Sequence, residues 1–157
     1  MAIEAISAIG IKNGPSHTEL KITPCGVKVV EIAARLGGDF ITSKLVPLST
    51  GVDMIECTFS TLLGKTVDVE IKKKRGSAIR FIQGKKGTIK SVEGINVAQN
   101  MPGIIDVELY KGNGDIIREP ENSGDRIGHV IAIGTNAEEA AQRAEAALNN
   151  IKVITGN

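Results

Sequence analysis

An α+β fold is predicted from three observations. A β-rich hairpin pattern lies between two helical patterns in the first 64 residues. Five short β-like runs, separated by glycine-containing connections, fill most of the remainder. One alanine-rich helical pattern lies near the C-terminus. This places a helix–hairpin–loop–helix region at residues 1–64, and an antiparallel sheet with a C-terminal helix at residues 65–157.

Ile3, Ile6 and Ile9, flanked by Ala2, Ala5 and Ala8, predict a short first helix, stopped by Gly10 and "KNGP". The helix has no capping residue ahead of it, which raises the expectation of a chain cut from something longer. His17 to Ile22 alternates as a strand does. "TPCG" is a turn, because Pro24 presets φ and Gly26 accepts positive φ. Val27, Val29, Val30 and Ile32 form the returning strand. "ARLGGDFITSKLVPLSTG" reads as a loop or broken helix. "VDMIECTFSTLLGK" reads as an amphipathic helix with Val52, Ile55, Phe59 and Leu62 on one face and Gly64 at its end. Downstream, "SAIRFIQ", "GTIKSVEGI", "IIDVELY", "DIIRE" and "IGHVIAIG" are the β-like runs of an antiparallel sheet. "TNAEEAAQRAEAALNNI" is the last helix, with Thr135 and Glu138 as a capping box and Ala140, Ala144, Ala147 and Leu148 as its apolar stripe.

Composition excludes several classes of function. The net charge of +1, with 24% charged and 41% hydrophobic residues over 157 positions, fits a folded chain and not a disordered one. Aromatic residues make up 3% and there is no Trp, which argues against binding by base stacking. Residues 71–90 carry eight basic residues and no acid, but only Phe81 is aromatic and no recognition motif accompanies them, so a solvated surface is expected and no nucleic-acid partner. Cys25 and Cys57 lack metal-ligand spacing and are expected to be reduced thiols. Nothing approaches the ~18 apolar residues of a membrane helix, and no signal peptide is recognisable. The expectation is a cytoplasmic protein with no membrane partner.

One stretch carries chemistry. Glu19 and Glu31 stand symmetrically about the "TPCG" turn, so they face each other across the hairpin, about 5 Å apart at Cβ. Two carboxylates that close repel unless a cation lies between them, and hard ions such as Mg²⁺ take such oxygen ligands together with phosphates. Arg35 adds a planar fork for carboxylate or phosphate oxygens. Gly37 and Gly38 let backbone N–H groups approach an anion. The set suits a Mg²⁺–phosphate site. It equally suits a solvated hairpin whose glutamates pair with Lys12, Lys21 or Lys28. His17 shares a strand face with Glu19, and either lines a pocket or is a hydrogen-bonded structural histidine. His129 is expected to be a packed or edge-strand residue.

"HTELKIT", a short turn and "VVEIAARLGGD" resemble the C-terminal part of the ATP-grasp fold, in particular carboxylate–amine ligases of the L-amino-acid-ligase kind, with wider kinship to carbamoyl-phosphate synthetase and biotin carboxylase. "GSAIRFI", "GTIKSVEGI" and "DRIGHVIAIGTNAEEA" are similar to the β-rich C-terminal lobe of these enzymes. The resemblance implies that Glu19 and Glu31 hold Mg²⁺ bridging the phosphates of ATP, the co-substrate. It also implies that Arg35 contacts the carboxylate substrate or its acyl-phosphate, with Gly37 and Gly38 beside the bound anion. Ala33 stands where many ATP-grasp enzymes carry a metal-binding Asn, which favours the amino-acid-ligase branch. The phosphate-gripping lysines and the adenine clasp of a whole enzyme lie in an N-terminal part not present here. The chain is therefore expected to be a fragment, inactive alone, whose apolar face around Ala33–Phe40 drives a homo-oligomer. The other reading is a non-catalytic module that binds a protein partner or a small anion.

Overall fold

A computed structural model describes residues 1–156. The chain forms two compact units, Met1–Lys72 and a second that begins at Lys73.

The first unit opens with α1 (Ala2–Ala8), followed by the hairpin of β1 (His17–Thr23) and β2 (Gly26–Ala33). Thr23 closes the turn: its hydroxyl donates to the Gly26 carbonyl at 2.7 Å and accepts from Cys25 N–H, while Gly26 sits at φ +98°. The expected broken helix is a single π-helical stretch, Ile41–Leu45, running into α2 (Val46–Thr50), which Gly51 ends in the left-handed conformation. Asp53 caps α3 (Met54–Leu62) by accepting from Ile55 and Glu56 N–H. This unit buries little of itself. Among its described residues only Thr42 and Val52 are fully buried, while Ile22, Phe59, Leu62 and Leu63 are exposed.

The second unit contains two three-stranded antiparallel sheets where the sequence predicted one. The first, in order β3-β7-β5, comprises β3 (Gly76–Ile82), β5 (Ile104–Leu109) and β7 (Gly128–Gly134). The second, in order β6-β4-β8, comprises β4 (Gly87–Glu93), β6 (Ile116–Ile117) and β8 (Lys152–Gly156). Two elements were not predicted. The strand-like run through Ile95 is broken by Gly94 at φ +84°, after which α4 (Ile95–Gln99) turns away. The short β8 follows the last helix too closely to show its own alternation.

That helix, α5 (Ala137–Leu148), packs its stripe of Ala140, Ala144 and Ala147, all fully buried, on the first sheet. Alanine at these positions lets helix and sheet approach closely. Ala144 and Ala147 meet Val107, Val130 and Ala132 there, with Ala98 of α4. A second cluster of Ile82, Ile89, Ile117 and Ile127 joins the two sheets.

The cap of α5 sits one residue later than predicted. Asn136, not Thr135, accepts from the N-terminal amides, taking Glu139 N–H at 2.9 Å. Glu139, not Glu138, reaches back to accept from Thr135 N–H and Oγ at 2.6 Å each. Asn is as good a cap as Thr, and the extended backbone at Asn136 decides between them.

Two tests follow from these arrangements. A Cβ at Gly94 would come within 1.9 Å of the Asn150 carbonyl oxygen, at a φ that L-residues avoid. Gly94→Ala is expected to destabilise the protein by at least about 2 kcal/mol in urea unfolding; an unchanged midpoint would contradict this junction. The Thr135 hydroxyl and then its amide, as donors to the carboxylate, hold Glu139 below its ordinary pKa of 4.5, assisted by Arg143. A depressed carboxylate stabilises the fold above the unfolded-state value, and that contribution is lost as pH falls through the folded value. Glu139→Gln is therefore expected to lower Tm at pH 7, with the difference from wild type vanishing towards pH 3.

Candidate functional site

The hairpin brings the two acids together, although not by simple symmetry. From the turn outward, Thr23 pairs with Gly26, Ile22 with Val27, Lys21 with Lys28 and Leu20 with Val29. Val30 is then a bulge, and pairing resumes with Glu19 opposite Glu31, Thr18 opposite Ile32 and His17 opposite Ala33. Without that extra residue Glu19 would face Val30, and Glu31 would lie across from Thr18 on the other face. The bulge therefore places Glu19 and Glu31 on one face, with His17. Leu20, Ile22, Val27 and Val29 occupy the other.

Each carboxylate already has a neighbour. His17 Nε2 lies 3.2 Å from Glu19 Oε1. Arg35 Nη2 donates to Glu31 Oε1 at 3.0 Å, while its Nη1 donates to the Leu36 carbonyl. The four-residue separation carries Arg35 just past the end of β2, where the chain turns back over the acid it follows. Arg35 and Glu31 both remain about half exposed, so the pair contributes little to stability, on the order of 1 kcal/mol or less.

Behind them the chain bends sharply. Gly37 fits against the His17 ring, and a Cβ there would lie 2.9 Å from Nδ1. The Gly37 carbonyl accepts from the buried Thr42 hydroxyl at 2.9 Å, and the Gly38 carbonyl from Ile41 N–H at 2.9 Å. The space around Gly38 is open. Asp39 and Phe40 follow at φ +50° and +61°, a left-handed pair without glycine that leads into the π-helical turn. Such conformations cost on the order of 1–3 kcal/mol each and cluster at ligand clamps. The sequence reading found Gly37 and Gly38 but not this pair, since neither Asp nor Phe announces positive φ.

The loop thus gathers Glu19, Glu31, Arg35, His17 and Gly37 at one end of the hairpin. The face presents oxygen donors, a planar cation and an open backbone, a combination that can hold a hard cation and an oxyanion side by side.

Comparison with known proteins gives the fold its class. The L-amino acid ligase from Bacillus licheniformis superposes with a TM-score of 0.85 at 23% identity, over 99% of this chain and 39% of that one. The phosphoribosylglycinamide synthetase from Anaerococcus prevotii gives 0.81 at 22% identity, over 99% of this chain and 40% of that one. The fold is that of the C-terminal part of ATP-grasp enzymes. Within that class, residues 80–156 match the model described as L-amino acid ligase C-terminal domain 2. A Sinorhizobium fredii protein described as uncharacterized protein y4rH is 32% identical over 143 residues, covering 88% of this chain and 30% of its own length. The L-arginine-specific L-amino acid ligase of Bacillus subtilis is 29% identical over 118 residues, covering 74% of this chain and 28% of its own. The chain spans less than a third of the length of these curated relatives.

The contact between Gly37 and His17 can be tested. In Gly37→Ala the imidazole must move off the loop, so the His17 ring resonances are expected to shift and the pairing with Glu19 to weaken. Ring resonances that match wild type would show that the glycine is not needed for this contact.

Proposed function

We propose that this chain supplies the metal- and substrate-facing C-terminal part of an ATP-dependent ligase that joins a carboxylate to an amine. The observation that carries the proposal is the bulged register that sets Glu19 opposite Glu31 with Arg35 at the strand end. The family of residues 80–156 supports it. So does the uncovered apolar face of the hairpin, where Leu20, Val29 and Ile22 stay exposed. Such a face needs further apolar surface against it, and we assign that cover to the remainder of the enzyme. The same exposure supports self-association of the chain when it is isolated.

Glu19 and Glu31 would hold Mg²⁺. Their oxygen donors and facing positions fit this ion, which keeps waters and substrate phosphates as its other ligands. When bound, the ion neutralises charge on the transferring phosphoryl group. Arg35 is released from Glu31 to the substrate, where its fork grips the carboxylate and then the acyl-phosphate. Gly37 and Gly38 leave the backbone accessible to the anion, and His17 steadies Glu19. In the reaction a carboxylate oxygen attacks the γ-phosphorus and ADP departs. The amine nitrogen then attacks the acyl carbon, phosphate leaves, and the amine loses a proton. The ATP-contacting lysines would come from outside this chain, so the isolated chain is expected to be inactive. Among the described residues no helix is long and apolar enough to cross a membrane.

The test uses the enzyme that contains this chain, with ATP, Mg²⁺ and mixtures of L-amino acids, and follows phosphate release and dipeptide formation. Glu31→Gln is expected to abolish both. Arg35→Lys is expected to cut ligation on the order of 10²-fold with ATP binding little changed, because the ammonium cannot make two parallel bonds. Both variants should unfold within about 1 kcal/mol of wild type. Full ligation by Arg35→Lys, or an effect confined to ATP binding, would refute its assignment. Turnover that survives Glu31→Gln would refute the metal site.

A further inference from the structure

We propose that Asp106, Glu108 and His129 form a second cation site, for an ion of the Zn²⁺ class, distinct from the acid pair on the hairpin. Among the described residues these three form a group whose potential ligand atoms all lie within 4.8 Å of one another.

Strand geometry builds the cluster. Glu108 is the register partner of His129 between β5 and the central strand β7. Asp106 joins them because of a bulge at Ile105. Ile104 pairs with Ala132 and packs into the α5-side core, whereas Asp106 pairs with Ile131. In a regular strand Ile104 and Asp106 would point to the same face. The bulge keeps Ile104 in the core and turns Asp106 to the face of Glu108 and His129, where a buried carboxylate would otherwise have had to sit among alanines.

The donor set indicates which ion. Imidazole with carboxylates suits Zn²⁺ and its neighbours, whereas Mg²⁺ takes oxygen almost exclusively. His129 Nε2 lies 3.5 Å from Asp106 Oδ2. That is longer than the roughly 2.7–3.2 Å of an ordinary N–H···O bond. It is close to the ~3.4 Å that separates two donors each about 2.1 Å from one tetrahedral ion. The other ring nitrogen is engaged as a metal-binding histidine requires: Nδ1 lies 2.5 Å from the Tyr110 hydroxyl. In the tautomer whose Nδ1–H donates to Tyr110, Nε2 would present its lone pair towards the carboxylates, with the ring orientation set from behind. His129 is fully buried, while Asp106 is partly open and Glu108 exposed, so the ion has a rigid inner ligand and an entry from solvent. The sequence reading placed His129 as packed or at an edge; it is packed, but in a central strand, and the zinc chemistry set aside for the cysteines is proposed here instead.

The experiment takes the chelator-treated protein and titrates it with Zn²⁺ by calorimetry and with Co²⁺ by visible absorption. One ion per chain is expected at this cluster, beyond any held by the acid pair, with the d–d bands of a low-coordinate Co²⁺ site. Glu108→Gln, exposed and therefore without consequence for folding, should weaken binding at least 10-fold, as should Asp106→Asn. Tyr110→Phe, which acts by positioning the ring, should weaken it by about 10–100-fold while leaving one ion per chain. The double variant Glu19→Gln, Glu31→Gln, which disables the acid pair, should still bind one Zn²⁺ per chain. Absence of heat and of Co²⁺ absorption at millimolar metal would overturn the site. So would binding that persists in Glu108→Gln and Asp106→Asn, or that is lost only in the hairpin variant, since the ion would then lie elsewhere.

Discussion

Side chains on a β-strand alternate between two faces, so adding one residue to one strand of a pair exchanges everything beyond it. This rule governs where the chemistry of this protein falls. At Val30 the added residue brings Glu31 round to Glu19, after four register pairs that would have kept them on opposite faces. At Ile105 a second added residue separates a core isoleucine from a carboxylate two positions on. Both candidate cation sites are consequences of bulges. Each lies at a junction where an apolar face must be kept buried or covered while acids are presented on the other.

The two units rely on different sources of stability. The second has its own interior: an alanine stripe lets α5 lie close on the first sheet, and four isoleucines tie that sheet to the second. The first contains two fully buried residues among those described and leaves much of its aliphatic and aromatic surface in solvent. Its order rests instead on the hairpin ladder, on side-chain caps such as Asp53, and on the turn through Gly37 that is tied to Thr42. A site mounted on such a unit has one well-defined strand pair beneath it and a strained loop, Asp39–Phe40, beside it.

The acid pair and the His129 cluster differ in the way their chemistry requires. Arg35 and Glu31 are about half exposed, so the guanidinium can leave its acid for an incoming anion at small cost. His129 has no such freedom. It is enclosed, its ring is held by Tyr110, and the acids near it approach from one side. A mobile cation beside a solvated acid suits a group that exchanges partners during turnover. A fixed imidazole suits a resident ion.

Much of this was legible from the residues. The spacing of Ile3, Ile6 and Ile9, the turn chemistry of "TPCG" and the stripe from Ala140 to Ala147 specify local elements through periodicity and φ preference, which neighbours along the chain suffice to decide. The placement of Glu19 and Glu31 on either side of that turn suggested the acid pair, although the register that joins them needs the bulge at Val30, and the four-residue step puts Arg35 within reach of Glu31. What sequence could not convey depends on partners distant in the chain. The split into two sheets follows from which strands the isoleucine cluster joins, and β8 takes its place only by pairing with β4. The cap moved from Thr135 to Asn136 because backbone conformation, not side-chain chemistry, chose between two good caps. The bulges at Val30 and Ile105 are visible only as ladders whose register changes. His129 acquires neighbours through strands that ladder pairing alone brings beside it. Period and turn preference are local quantities, whereas register is a relation between segments, and only the folded chain determines it.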